Sequence, residues 1–249
     1  MKNKNYILGI ESSCDETSVA VLTRNTKSSK PLVLANIIKS QVDVHKEFGG
    51  VVPELAARAH SDVIDLLVKR ALKKAKIKLK DINAVAATTG PGLLGGLLVG
   101  VIAAKTLSSV LKIPFISINH LEGHALSAQL EQDISFPYLL LLVSGGHTEF
   151  TIVKQFNNYQ RIGTTVDDAL GEAFDKTARL MKLGYPGGPQ IEKLAQSGNE
   201  DAYDFPKPLI HENNSYFSFS GLKTSVAQLV HKQKKLTPKI KKDIAASFQ

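Results

Sequence analysis

Tyr6-Ile7-Leu8-Gly9-Ile10-Glu11-Ser12-Ser13-Cys14-Asp15-Glu16-Thr17-Ser18-Val19-Ala20-Val21-Leu22 decides how the rest of the chain is read. Residues 6–10 are apolar, residues 11–17 are polar and turn-like, and residues 19–22 are apolar again. Short apolar runs flanking turn residues read as paired strands, so a hairpin with a wide polar loop is expected. The same pattern returns later. Residues 138–143 are apolar, Ser144-Gly145-Gly146-His147-Thr148 is a tight polar turn, and residues 149–153 resume as a strand. One device used twice points to two related α/β lobes, each opening strand–loop–strand. Their boundary is expected near residues 112–120, giving lobes of 1–115 and 116–249.

Outward from the first hairpin, residues 31–38 read as a third strand. Pro53-Glu54 opens a long amphipathic helix, with Leu55, Ala59, Val63, Leu66, Leu67, Ala71 and Leu72 at helical spacing. Its Lys-rich end suits the negative end of the helix dipole and reads as a solvated face. Residues 81–89 form a strand, 90–96 a Gly-rich loop and 97–111 a helix. Gly92, Gly96 and Gly100 share one side of that segment, where a neighbour can approach closely. The uncharged run 84–104 is long enough for a membrane span. Gly90-Pro91-Gly92 and Gly95-Gly96 interrupt it, so strand, loop and helix are expected, with no membrane involved. A strand at 114–119 precedes a short helix at 120–130. Beyond the second hairpin come a helix at 167–183, the turn Tyr185-Pro186-Gly187-Gly188-Pro189, a helix from about Gln190, and a helix after Phe217-Ser218-Phe219-Ser220-Gly221. Thr237-Pro238 reads as N-cap and first position of a last helix. Its apolar face, Ile240, Ile244 and Phe248, is expected to lie unfinished where the chain stops.

Composition sets the class. With 249 residues, 43% hydrophobic and 22% charged, the chain is globular and not disordered. Its 31 basic against 23 acidic side chains give a net charge of +8, a balance that suits a polyanionic partner. A lone cysteine, Cys14, excludes an internal disulfide framework and a Cys-rich zinc cluster, and fits a reducing compartment. Met1-Lys2-Asn3-Lys4-Asn5 is polar, so no secretory signal is expected.

Four stretches carry chemistry. In His120-Leu121-Glu122-Gly123-His124 the two imidazoles stand four apart on one helical face and can reach one metal ion, although two ordinary surface histidines share that spacing. Glu122 lies roughly 200° round the helix from His120, which disfavours a metalloprotease. In residues 9–17, turn amides and hydroxyls suit phosphate oxygens, while Asp15 and Glu16 suit a metal, water or an amine; a plain polar turn competes. Ser144-Gly145-Gly146, joined by Gly187-Gly188, lets backbone N–H groups approach a ligand, or simply makes tight turns. In residues 171–177, Asp175 suits ribose hydroxyls, against a salt-bridged helix as the plain alternative. Acidic surroundings read Cys14 as a turn residue with a raised thiol pKa, not a nucleophile. The lysines of residues 232–242 suit phosphates or a solvated linker.

Together these segments resemble one family, the tRNA N6-adenosine threonylcarbamoyltransferases. The matching stretches are GIESSCDETSVAV, HKEFGGVVPELAARAH, TTGPGLLGGLLVG, NHLEGHALS, LLVSGGHTE, DDALGEAFDKTARL, YPGGP and FSFSGLKT, in family order. The resemblance implies a two-lobed actin-like ATPase (ribonuclease H-like) fold. It implies that His120 and His124 hold one divalent metal ion, iron or zinc. It implies that Leu142, Val143, Ser144, Gly145, Gly146, Asp175 and Gly188 line the pocket for threonylcarbamoyl-AMP, and that Asp15 and Glu16 act in catalysis. The implied reaction passes the threonylcarbamoyl group to N6 of the adenosine 3′ of the anticodon, in tRNAs reading codons that begin with A. Implied partners are tRNA, a non-catalytic paralogue and an accessory ATPase, in the cytoplasm. The family's later segment, with a nucleotide-binding Asn and an Asp as third metal ligand, has no counterpart here. The expectation is a C-terminally shortened member, with a non-catalytic relative as the competing reading.

Overall fold

The computed structural model describes residues 5–24 and 30–249. Residues 1–4 of the polar start therefore lie outside the described residues. Two compact units divide the chain, Met1–Ile134 and Ser135–Gln249.

The first unit is built on the opening hairpin. β1 (Tyr6–Glu11) and β2 (Glu16–Arg24) run antiparallel, with Leu8 opposite Val21 and Ile10 opposite Val19. β3 (Pro31–Ser40) pairs antiparallel with β2. A short helix, α1 (Val42–His45), leads to the long α2 (Pro53–Ala75), which carries the expected proline in its first turn. β4 (Ile82–Gly90) then returns parallel to β1. α3 (Leu94–Leu111) crosses over to β5 (Phe115–Asn119), parallel to β4. Parallel neighbours require such crossovers. The sheet order is β3-β2-β1-β4-β5, and α4 (His120–Ser127) follows the last strand directly.

Period-two alternation in the strands builds the core. Thr17, Val19, Val21 and Thr23 of β2 are buried, and Leu8, Ile10, Val85 and Ala87 of its neighbours face the same way. α2 answers with Ile64, Leu67, Val68 and Ala71, and α3 with Ala104. Full burial of a large aliphatic side chain contributes roughly 2 kcal/mol. The centre of the other sheet face is made of small residues: Gly9 sits between Ala20 and Ala86, its direct register partners. The uncharged run 84–104 divides into β4, a turn and α3, as its glycines require. α3 is apolar enough to cross a membrane by length and composition, yet it packs on α2, β4 and β1. The unit extends to Ile134, past the boundary expected near 115, because β5 completes this sheet and α4 follows it without a break.

The second unit repeats the opening. β6 (Tyr138–Val143), β7 (Thr148–Gln155) and β8 (Asn158–Thr164) form an antiparallel sheet in that order, matching β1-β2-β3. Sequence reading missed β8. Its segment mixes polar residues with one buried glycine, and the turn before it rests on Asn157 at φ 60°. Four helices follow: α5 (Leu170–Leu180), α6 (Gly187–Ala195), α7 (Ser220–Lys232) and α8 (Pro238–Phe248). Thr237 caps α8, accepting a bond from Ile240 N at 3.3 Å. The apolar face of α8 is not open as expected. Ile244 and Phe248 are buried among Ala178, Met181, Ile191 and Val226, and the Phe248 ring meets Phe174 at 4.9 Å. Helices that come together only in the tertiary fold cannot be paired by periodicity.

The glycines of residues 92–100 serve the close approach that their spacing announced. A Cβ on Gly92 would come within 2.7 Å of Ser13, and one on Gly96 or Gly100 would strike the Ser12 carbonyl or hydroxyl. Gly100→Ala is expected to lower the unfolding free energy by about 1–3 kcal/mol, the usual result of overpacking. Urea denaturation followed by circular dichroism measures it, and a change below about 0.5 kcal/mol contradicts the close packing.

Candidate active site

β1, β4 and β5 are parallel, so their carboxyl ends lie along one edge of the sheet, where open α/β sheets place their ligands. Glu11 ends β1, Thr88 lies near the end of β4, and His120 follows β5. Asn119 caps α4, its side chain accepting from Leu121 N at 2.8 Å, and thereby sets the direction in which α4 leaves the sheet. One turn along α4, His124 brings its Nε2 to 3.1 Å from Nε2 of His120, with the rings edge to face at 86°. Two nitrogens about 2.0–2.1 Å from a tetrahedral ion stand about 3.3 Å apart. The pair fits a single divalent ion on that criterion. Among the described residues no group of three or more His, Cys, Asp or Glu side chains is placed to hold a metal, so these imidazoles supply two donors.

Glu11 stands behind the pair. Its Oε1 accepts from Ser13 N at 2.5 Å, and its Oε2 accepts from the Thr88 hydroxyl and lies 3.3 Å from His120 Nδ1. Burial alone would raise the Glu11 pKa, but the bonds from His120, Ser13 and Thr88 outweigh it and hold the carboxyl at about 2. A pocket of about 370 Å³ opens here, floored by Gly9, Ala20 and Ala86 and walled by Glu11, His120 and His124.

The loop carrying Asp15 and Glu16 is held from beneath. His60, fully buried on the core face of α2, lies with Nε2 at 3.0 Å from the Cys14 carbonyl and with Nδ1 at 2.7 Å from Thr17 Oγ1. Gln41 joins the same Nδ1 at 3.2 Å and meets His45 Nε2 at 3.1 Å. Val52 N donates to His45 Nδ1, which fixes the proton positions along the chain of bonds: both histidines carry their proton on Nε2. Desolvation depresses the His60 pKa and keeps the ring neutral. Asp15 is half-buried and Glu16 exposed, at the start of β2. Sequence reading passed over His60, Gln41 and His45. The available signal was a histidine at the helical spacing of Ala56 and Ile64.

In the second unit, Leu142 is buried, while Val143, Gly145 and Gly146 are exposed at the turn after β6. Ser144 Oγ accepts from His147 N at 3.0 Å and folds the turn, and Ser144 O accepts from Gly171 N at 3.2 Å. A Cβ on Gly145, Gly146 or Gly188 would meet nothing within 4 Å, so backbone at these three positions is open to a ligand. Asp175 Oδ1 accepts from Gly187 N at 2.7 Å, which ties α5 to the start of α6 beside Gly188. Ser144 and Gly145 thus lie against Gly171 at the start of α5, and Asp175 ties the same helix to Gly187. α6 starts at Gly187 and not at Gln190, because Asp175 binds that first amide. Glu172, by contrast, makes an ordinary salt bridge with Lys176 at 2.7 Å. The helix expected from 167 begins at Leu170, leaving two aspartates free to act as ties. Asp167 accepts from Phe219 N, Ser220 N and both serine hydroxyls of the Ser218–Ser220 turn. Asp168 holds Lys176 and Lys223.

Residues 32–249 match the family model of TsaD, tRNA N6-adenosine threonylcarbamoyltransferase. A protein of that name from Pelagibacter ubique is 55% identical over 249 residues, covering 100% of this chain and 69% of the relative. Another from Bartonella tribocorum is 58% identical over 243 residues, covering 98% and 66%. The chain spans about two thirds of the length of these curated relatives. Among solved structures, component A of the (R)-2-hydroxyglutaryl-CoA dehydratase of Acidaminococcus fermentans matches with a TM-score of 0.51. Identity there is 16%, over 98% of this chain and 73% of that one, which bears on the fold alone. The fold is the α/β fold of the actin-like, ribonuclease H-like class. The chain belongs to the tRNA N6-adenosine threonylcarbamoyltransferase family.

Cys14 is exposed as a residue, yet partial desolvation of its thiol, reinforced by the Asp15 carboxylate, pushes its pKa up to about 12. The thiol is therefore protonated at neutral pH. Iodoacetamide should alkylate Cys14 much more slowly than free glutathione at pH 8, with a rate still rising above pH 10, as mass spectrometry can follow. A rate equal to that of glutathione contradicts this environment.

Proposed function

We propose that this chain catalyses transfer of a threonylcarbamoyl group from threonylcarbamoyl-AMP to N6 of the adenosine 3′ of the anticodon, in tRNAs reading codons that begin with A. The observation that carries this reading is similarity along the whole chain to relatives named for that transfer. The paired Nε2 atoms of His120 and His124 support the metal part of it. A divalent ion held there, iron or zinc, supplies Lewis-acid polarisation of a carbonyl oxygen.

The chain's own residues do the rest. Open backbone at Gly145, Gly146 and Gly188 suits the phosphate and acyl oxygens of the adenylate, the exposed Val143 side chain offers its base an apolar contact, and Leu142 holds the strand end from its buried side. Asp175, whose carboxylate already binds Gly187 N beside Gly188, suits ribose hydroxyls as a hydrogen-bond acceptor. N6 attacks the carbamoyl carbon, the bond from that carbon to the phosphate oxygen breaks, and AMP leaves with the electron pair. The amine proton passes to a carboxylate of the first loop, Asp15 or Glu16. Fixing that loop through His60 and Cys14 O gives the proton acceptor a defined position. The net charge of +8 suits tRNA. A non-catalytic paralogue and an accessory ATPase complete the expected cytoplasmic assembly.

Purified chain loaded with iron(II) or zinc, given threonylcarbamoyl-AMP, unmodified tRNA and the two accessory proteins, should yield the modified nucleoside by mass spectrometry. Asp15→Ala or Glu16→Ala should lower the rate by about 10²–10⁴ if that residue takes the proton. Unimpaired transfer by both variants removes that role from the loop. Tight binding of the adenylate without product favours the non-catalytic relative.

A further inference from the structure

Glu11 has no part in the mechanism above, yet three groups converge on it. It receives Ser13 N at 2.5 Å on one oxygen, and the Thr88 hydroxyl on the other. That second oxygen lies 3.3 Å from His120 Nδ1, and Ser13 Oγ lies 3.1 Å from the same nitrogen. Glu11 belongs to the central part of the sheet, its strand hydrogen-bonded on both sides. Thr88 stands on the adjacent strand β4 and is buried. The carboxylate is thus clamped by two donors, the Thr88 hydroxyl from the neighbouring strand and Ser13 N from the buried loop after β1, and its remaining approach is to His120.

A carboxylate accepts and does not donate, so the ring nitrogen facing it carries the proton. We propose that Glu11 is a positioning residue for His120, locking it as the Nδ1–H tautomer and turning its Nε2 lone pair toward His124. The proposal rests on the reading of His120 and His124 as metal ligands. It adds how this chain prepares one of them before any ion arrives. Unclamped, a neutral imidazole places its proton on either nitrogen, and a ring protonated on Nε2 presents no lone pair to a metal. A carboxylate behind a ligand histidine also raises the basicity of the ligating nitrogen. Thr88 and the Ser13 amide act one step further back, by denying Glu11 other rotamers, while the Ser13 hydroxyl oxygen lies beside His120 Nδ1 as a second acceptor.

The test separates the tautomer from the metal. In metal-free protein labelled with ¹⁵N-histidine, His120 should show the Nδ1–H pattern in two-dimensional NMR. Glu11→Gln, whose amide can donate as well as accept, should shift His120 toward Nε2–H. It should also weaken zinc or cobalt binding, measured by competition with a chromogenic chelator, by about 10–100-fold. Glu11→Asp should recover part of both. Thr88→Val should move both readouts the same way by less, and serves if Glu11→Gln fails to fold by circular dichroism. An unchanged Nδ1–H pattern with parental metal affinity in Glu11→Gln overturns the proposal. Failure of the parent itself to bind metal, with His124→Ala no different, overturns the metal reading instead, and the NMR result then judges the tautomer lock alone.

Discussion

Everything at the carboxyl edge of the first sheet depends on how closely the loop after β1 lies against the start of α3. Ser12 is seated over Gly96 and Gly100, its hydroxyl bonded to Gly96 O at 2.9 Å, and Leu93 N donates to Ser13 O at 2.7 Å. This contact leaves no room for side chains on the helix. It fixes Ser12 and Ser13, and Ser13 in turn fixes Glu11 and faces His120. A close approach of this kind transmits position with little slack, because the glycine side has no rotamers to exchange.

That constraint links three parts of the chain that are far apart in sequence: the first loop, the glycines near residue 96, and the paired histidines of α4. The second unit uses a different method. Its open glycine turn is held by a serine hydroxyl and by Gly171 N, and the Asp175 carboxylate binds the first amide of α6. Two adjacent aspartates, Asp167 and Asp168, pin α5 and α7 by charge-assisted bonds. The first unit thus positions its functional groups by close packing, the second by carboxylates acting on helix starts.

Much of this was legible beforehand because it follows from local pattern. The hairpin opening residues 6–22, its return after residue 138, Pro53 as a helix start, Thr237 as a cap and the spacing of Gly92, Gly96 and Gly100 are all short-range signals. His120 and His124 were legible as a pair for the same reason. What was not legible depends on tertiary neighbours. The α8 face of Ile244 and Phe248 looked unpartnered because α5, α6 and α7, which cover it, precede it by as many as seventy residues or so. The partnership of Glu11 with His120 spans more than a hundred residues and joins two strand ends that only the sheet order brings close. Likewise, β8 lacks a period-two apolar pattern and forms because β7 offers it an edge.

The neutral imidazole of His60 gives the first loop a dependence on acidity that its own carboxylates do not reveal. The ring donates to the Cys14 carbonyl from one nitrogen and accepts from Thr17 and Gln41 at the other, and a second proton would spoil the accepting side. Since burial holds its pKa below the ordinary 6.5, its contribution to folding is complete above that value and drains away as the medium becomes more acidic. Souring the solution thus loosens the loop from the core side, through a ring that no solvent-facing ligand ever touches.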